Sequence, residues 1–171
     1  MQYPSVCKNF KVYNDSDAQF VGLSDITCPK LVFEKNDLKG AGLGGSFNLP
    51  VSGQVQPMTC TLNFHTNTIQ SLGIFSGEGA RIRCNSSLQV YDTSTGKFDE
   101  LPEEVIMQVI SDSQDLGKRE NATKALVVLE FSVLYLALVF NGKKYWEIDP
   151  FSNVCIVNGV DLNEKTRANI G

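Results

Sequence analysis

Leu126-Val127-Val128-Leu129-Glu130-Phe131-Ser132-Val133-Leu134-Tyr135-Leu136-Ala137-Leu138-Val139-Phe140, then Asn141-Gly142, then Lys143-Lys144-Tyr145-Trp146-Glu147-Ile148-Asp149, is the stretch whose reading decides the fold. Its first part is apolar, rich in β-branched and aromatic residues, and carries a single charge, Glu130. Asn-Gly tolerates the positive φ that a two-residue hairpin turn demands, so the pair marks a turn between two strands. About fifteen residues of strand span roughly 50 Å, far beyond the usual length. Val127, Leu129, Phe131, Val133 and Tyr135 fall on one face by alternation, Leu126, Val128, Leu134, Leu136 and Leu138 on the other. The expectation is a central strand covered on both sides. The run is too short for a membrane-spanning helix and ends in a turn, so no membrane insertion is expected.

Outward from this strand, period-two patterning recurs. Met58, Cys60, Leu62 and Phe64 alternate with Thr59, Thr61, Asn63 and His65, and Ala80–Tyr91 alternates likewise with Ile82, Cys84, Leu88 and Val90 facing in. Asp92–Gly96 is a turn, and Lys97–Asp115 returns with a strand near Val105–Ile110. Phe10–Tyr13 and Gln19–Leu23 flank the turn cluster Asn14–Asp17 and read as a hairpin. A strand from Ser24 to Leu38 changes phase at Pro29, as at a bulge. Asn67 or Thr68 caps one short helix carrying Ile69, Leu72 and Phe75 on one side, with Gly77 past its end. Val154–Val157 is a further strand, and the tail Val160–Gly171 is too polar for more than a turn of structure. The 171 residues then form one domain, 1–171: a mainly β, antiparallel sandwich or barrel with one short helix.

Composition narrows the function. Charged residues make up 20% and the net charge is −4, without the basic stripe of a nucleic-acid groove. No charged leader with an apolar stretch opens the sequence, so export is not expected. The sequons at Asn85 and Asn121 are then chance matches. The five cysteines lack any CxxC spacing, which predicts neither a disulfide framework nor a metal site. Cys28, Cys60 and Cys84 read as small hydrophobes on strands. The only histidine, His65, sits on a polar face with no second ligand beside it. Glu103 and Glu104 are adjacent, so on a strand they point apart and do not act as a pair. Nothing indicates catalysis or a cofactor.

Two stretches remain as candidate sites. Gly40, Gly42 and Gly45 spell GxGxxG, but Ser46–Pro50 opens no helix to receive a phosphate, so a nucleotide site is rejected. The better reading is a long flexible excursion from Lys39 to Pro57, a length that is usually functional. Asp99, Glu100, Glu103, Glu104 and Asp112 form the richest acidic source.

Tyr145–Pro150, then Val157-Asn158-Gly159-Val160-Asp161, then Arg167-Ala168-Asn169-Ile170-Gly171 resemble the C-terminus of the major tail tube proteins of contractile-tailed phages and R-type pyocins. Phe20-Val21-Gly22, Cys28-Pro29-Lys30-Leu31 and Lys39–Gly45 resemble the family's earlier signals. The order of these motifs spans nearly the whole chain; Gly-Ala-Gly in place of a glycine run, and five cysteines, depart from the pattern.

The resemblance implies a structural subunit. Six copies form a ring with a β-lined channel, and rings stack into a rigid tube inside a contractile sheath, through which DNA passes unbound. It implies partners in the sheath, the tape-measure protein, the baseplate and the tail terminator, and a place in the virion tail after assembly in the host cytoplasm. Lys39, Gly40, Gly42, Leu43, Gly44, Gly45, Phe47 and Leu49 are expected to reach the neighbouring ring. Some of the five acidic residues are expected to face the lumen, with a sheath-facing position as the alternative. Two other readings stay open: a tube subunit of a related injection or secretion system, and a monomeric β-barrel binding a small ligand. Rings or filaments, against a monomer, discriminate the last.

Overall fold

The computed structural model describes all 171 residues. The strands are β1 (Gln2–Tyr13), β2 (Leu23–Thr27), β3 (Phe33–Leu38), β4 (Phe47–Val55), β5 (Met58–Phe64), β6 (Gly79–Asp92), β7 (Lys97–Asp115), β8 (Val127–Phe140), β9 (Lys143–Asp149), β10 (Val154–Val157) and β11 (Val160–Asp161). The helices are α1 (Ile69–Ile74) and α2 (Glu164–Ile170). Nine strands form one antiparallel sheet in the order β1-β6-β7-β8-β9-β10-β11, with β5 also paired to β8 and β2 to β5. β3 and β4 form a separate two-stranded sheet.

β8 is the organising strand, but only one of its faces is buried along its length; on the other, Ala137 alone is buried. Val109 pairs with Val133 and Gln108 with Tyr135, so Leu134 is an extra residue in a bulge. A bulge shifts the side-chain phase by one. Val127, Leu129, Phe131 and Val133 are therefore buried before it, and Leu136 after it, all in the same core. The two apolar faces legible in the sequence are one face read across a phase change. One end of β8 pairs with β5, from Val127 to Val133, and the other with β9, from Leu136 to Phe140. The Asn141-Gly142 turn has φ of 48° and 76°, the positive values this hairpin needs.

The core lies on one side of the large sheet. Met58, Cys60, Leu62 and Phe64 of β5 pack with Ile82 and Cys84 of β6, Val105, Met107 and Val109 of β7, Ile148 of β9 and Cys155 of β10. Phe20 meets Phe64 edge to face at 6.0 Å.

Several expected boundaries move. β1 starts at Gln2 and pairs with β6 along its length, so the expected Phe10–Leu23 hairpin reduces to one bridge, Tyr13 with Gln19. The long register with β6 outcompetes a short local turn. The expected Ser24–Leu38 strand is broken between Thr27 and Phe33, and its halves enter different sheets, so Pro29 marks a full break rather than a bulge. β7 is one strand of 19 residues, longer than the expected Val105–Ile110 segment. The tail forms a second helix, α2, where none was expected; Asn163 starts it and Arg167 holds it, as described below. In α1 the Thr68 capping box is present, but Ser71 and Ile74 are the buried residues. Ile69, 91% exposed, and Leu72 face outward, against the expected amphipathic orientation.

Candidate assembly surfaces

The first surface is an arm. β3 and β4 pair only with each other, Leu38 opposite Phe47 and Asn36 opposite Leu49. The expected excursion from Lys39 to Pro57 is thus not one loop. Lys39–Ser46 is the tip, where Leu43 N–H donates to Gly40 C=O at 3.2 Å, and Phe47–Val55 is strand. An Asn-Leu-Pro-Val stretch reads as loop in isolation because its strand partner has no core-facing pattern to betray it. Gly42, at φ +88°, and Gly44 have no atom near a would-be Cβ, so the tip is open all round. Leu43, Phe47 and Leu49 are 48%, 50% and 49% exposed, an unusual apolar display on so narrow an element. All eight residues expected to reach a neighbouring ring lie on this arm.

The second surface is the face of the large sheet turned away from the core. Arg81 and Arg83 of β6 and Glu104 and Gln108 of β7 lie there, paired across the strands as Arg83 with Ile106 and Asn85 with Glu104. Arg83 lies 2.7 Å from the Asp17 carboxylate and 3.6 Å from that of Glu104, and its guanidinium stacks over Tyr13. Ser87 Oγ donates to Glu100 at 2.6 Å, and Lys8 pairs with the same carboxylate. These two partners hold Glu100 below the usual carboxylate range. Tyr135 Oη donates to Glu147 at 2.9 Å, and Lys144 lies 3.1 Å from that carboxylate. Burial and the Glu147 hydrogen bond push the Tyr135 phenol up to about 12. The face therefore carries ion pairs of both signs, with Arg81 outside them, rather than one acidic field.

The five acidic residues do not lie on one face. Glu100 and Glu104 share the polar face, while strand alternation sends Asp99 and Glu103 to the side of Val105. Asp112 sits far along β7 in a second bulge, between Ser111 opposite Phe131 and Ser113 opposite Glu130. Among the cysteines, Cys60, Cys84 and Cys155 are buried, whereas Cys28 is exposed just beyond the end of β2, not on a strand face; all five are free thiols. His65 is half-buried and its Nδ1 has no partner.

The third surface is edge. β1 pairs on one side only, and β2 and β11 are the other strand edges of the large sheet. β1, at 12 residues, is the one long free edge, and such an edge is a template for pairing with another chain. No three His, Cys, Asp or Glu side chains are grouped to hold a metal ion, and no helix is long and apolar enough to cross a membrane.

A projecting apolar arm, a polar sheet face of mixed charge and one long unpaired edge are features of a structural protein. The chain belongs to the phage tail tube protein FII family, whose profile matches residues 4–171. It is 29% identical over 150 residues to the tail tube protein of Escherichia phage P2, covering 85% of each chain. Its fold is similar to a chain in the sheath/tube terminator of the PVC extracellular contractile injection system, with a TM-score of 0.55 at 17% identity over 80% of this chain and 97% of that one. A chain of the anti-feeding prophage baseplate gives 0.56 at 12% identity, over 81% and 97%. A chain of the PVC sheath–tube complex gives 0.51 at 16%, over 81% and 91%. At these identities the likeness is one of fold. The expected mainly β fold and tail tube family of contractile particles are both met, and the protein is a structural component of a tail tube.

Proposed function

We propose that residues 1–171 act as one tube domain, without catalysis, and that six copies close into a ring whose rings stack into the inner tube of a contractile tail. The observation that carries this reading is the β3–β4 arm, which pairs with no other strand and ends in Leu43, Phe47 and Leu49 half-exposed. An isolated subunit gains nothing from such an element; a stack gains a contact between rings. Ring closure uses the strand edges and stacking uses the arm, two different surfaces, which is what a closed ring in an open filament requires.

The mixed-charge sheet face suits the channel. A surface whose carboxylates and cations are interspersed lets DNA pass without adhering, because it offers no broad positive field. Glu100 and Glu104 are then the lumenal members of the acidic set, and Asp99, Glu103 and Asp112 lie off that face. The sheath would cover the outside, with the tape-measure protein in the channel and the baseplate and terminator at the ends, assembled in the host cytoplasm before the tail is complete. Support comes from the tail tube relatives and from neighbours found in sheath–tube, terminator and baseplate assemblies.

A monomeric ligand barrel is the weaker reading. A surface hollow of about 410 Å³ beside Phe10, Asn85, Glu100 and Leu101 is wide open to solvent, and so encloses little of any ligand. A small-molecule site buries most of its ligand's surface. Negative-stain electron microscopy with light scattering across concentration tests the choice. Rings or tubes are expected; a monomer at every concentration would overturn the assembly reading.

A further inference from the structure

We propose that Asn163 is a latch that sets the angle of the β3–β4 arm relative to the body; its consequence for tube growth rests on the arm being the stacking element. The C-terminal segments Asn158–Asp161 and Arg167–Gly171 marked the chain's resemblance to its family, yet nothing in the sequence says what they do.

The arm is attached weakly for its length. Phe33 and Val55 at its base pack against the core, while Gln56 N–H donating to Val32 C=O at 2.8 Å only continues the arm's own β3–β4 ladder. The remaining bond is made by Asn163, only 5% exposed, whose Nδ2 donates to Gly53 C=O at 2.9 Å and to Asn153 Oδ1 at 3.0 Å. No other side-chain hydrogen bond joins residues 33–55 to the rest of the molecule. The contact falls where β4 departs from regular pairing: Phe33 pairs with Val55 and Lys35 with Pro50, leaving a bulge that contains Gly53. A bulge is where a strand bends most easily.

The fit is close from both sides. Gly53 stands at φ +80°, and a Cβ there would lie 1.8 Å from Asn163 Oδ1. The carboxamide therefore fills the space that a side chain at position 53 would take. Asn163 is itself fixed by the turn that starts α2. Its N–H donates to Asp161 Oδ1 at 3.0 Å, and its C=O accepts from Arg167 N–H at 2.9 Å. Arg167 closes the assembly by pairing with the Asp161 carboxylate and donating to Asn153 C=O at 2.9 Å. The β9–β10 turn, α2 and the β4 bulge thus meet at one side chain.

From Gly53 to Phe47 the strand runs roughly 20 Å. Over that lever a pivot of about 10° moves the tip by about 3.5 Å, on the order of an atom's diameter, which is enough to unseat a packed apolar contact. A latch at the base therefore controls registry at the tip.

The test is amide hydrogen exchange on the full chain, kept dilute, with Asn163→Asp. The carboxylate keeps the shape but loses the donor, and sets oxygen against Gly53 C=O and Asn153 Oδ1. Peptides over Phe47–Val55 should exchange at least tenfold faster, with Met58–Phe64 and Val127–Phe140 unchanged. Asp161→Asn, which frees Arg167 at the surface, should loosen the same arm peptides more mildly and decides the matter if Asn163→Asp fails to fold. Wild-type exchange in the arm, or arm and core loosening together, would overturn the latch. Electron microscopy of Asn163→Asp should show rings that fail to stack. A loosened arm with normal tubes would leave the latch in place and overturn the stacking role of the arm instead.

Discussion

Changing Leu43 and Phe47 to Asp tests the arm most directly. Full burial of a Leu or Phe side chain is worth about 1.5–3 kcal/mol. Half of each remains exposed in the subunit, so covering them in a stack is worth about 1 kcal/mol apiece. The double variant forfeits about 2 kcal/mol per contact and adds the burial of two unpaired polar groups, on the order of 1–3 kcal/mol each. A loss of at least about 4 kcal/mol per contact weakens it by roughly a thousandfold. In a sixfold ring this penalty recurs at each subunit, so stacking should be abolished at any practical concentration. The subunit itself should survive. Leu43 touches no core residue, and Phe47 loses only its cross-strand partner Leu38, a cost of at most about 1 kcal/mol. Circular dichroism should show an unchanged β spectrum and a melting point lower by no more than about 4 °C. Sedimentation and negative-stain microscopy should show rings or monomers in place of tubes. Tubes of normal length from the double variant would refute the role given to the arm, and an unfolded variant would show that the arm belongs to the core.

Leu62, fully buried under β8, should lose about 2–5 kcal/mol of stability on change to Ala, read from urea denaturation. In thiol titration of the native protein, exposed Cys7 should react fast. Cys28 should react slowly, because the neighbouring Cys84 thiol holds it protonated. Cys60, pushed up to about 12 by burial, should react only on unfolding together with Cys84 and Cys155; five fast thiols would contradict the core described here. Arg167 holds the Asp161 carboxyl below the usual range, near 3.9 for a free aspartate. Its stabilisation of α2 is therefore complete above about pH 4 and is lost as pH falls through the lowered value, so α2 resonances should shift on acidification below pH 4 and Asp161→Asn should remove that step.

The amino-acid pattern by itself determined the β class, the Asn141-Gly142 and Asp92–Gly96 hairpins, the Met58–Phe64 core strand and the Thr68 cap. These are local: two-residue periodicity, positive-φ turn residues and a capping hydroxyl act within a few residues of themselves. The family was legible for the same reason, since its motifs are short and ordered. What only the tertiary structure decided depends on pairing across long separations. Whether β8 has two buried faces or one turned on the bulge at Leu134, set by its register with β7. Whether β1 joins the Asn14 turn or β6 turned on a pairing that begins with Gln2 opposite Asp92. The Lys39–Pro57 stretch read as loop because β3 and β4 beyond their base face solvent on both sides, leaving no alternation to detect. The outward apolar face of α1 and the Asn163–Gly53 latch were invisible for a related reason. Burial and a hydrogen bond between residues 110 positions apart are properties of the packed chain, and no local pattern encodes them.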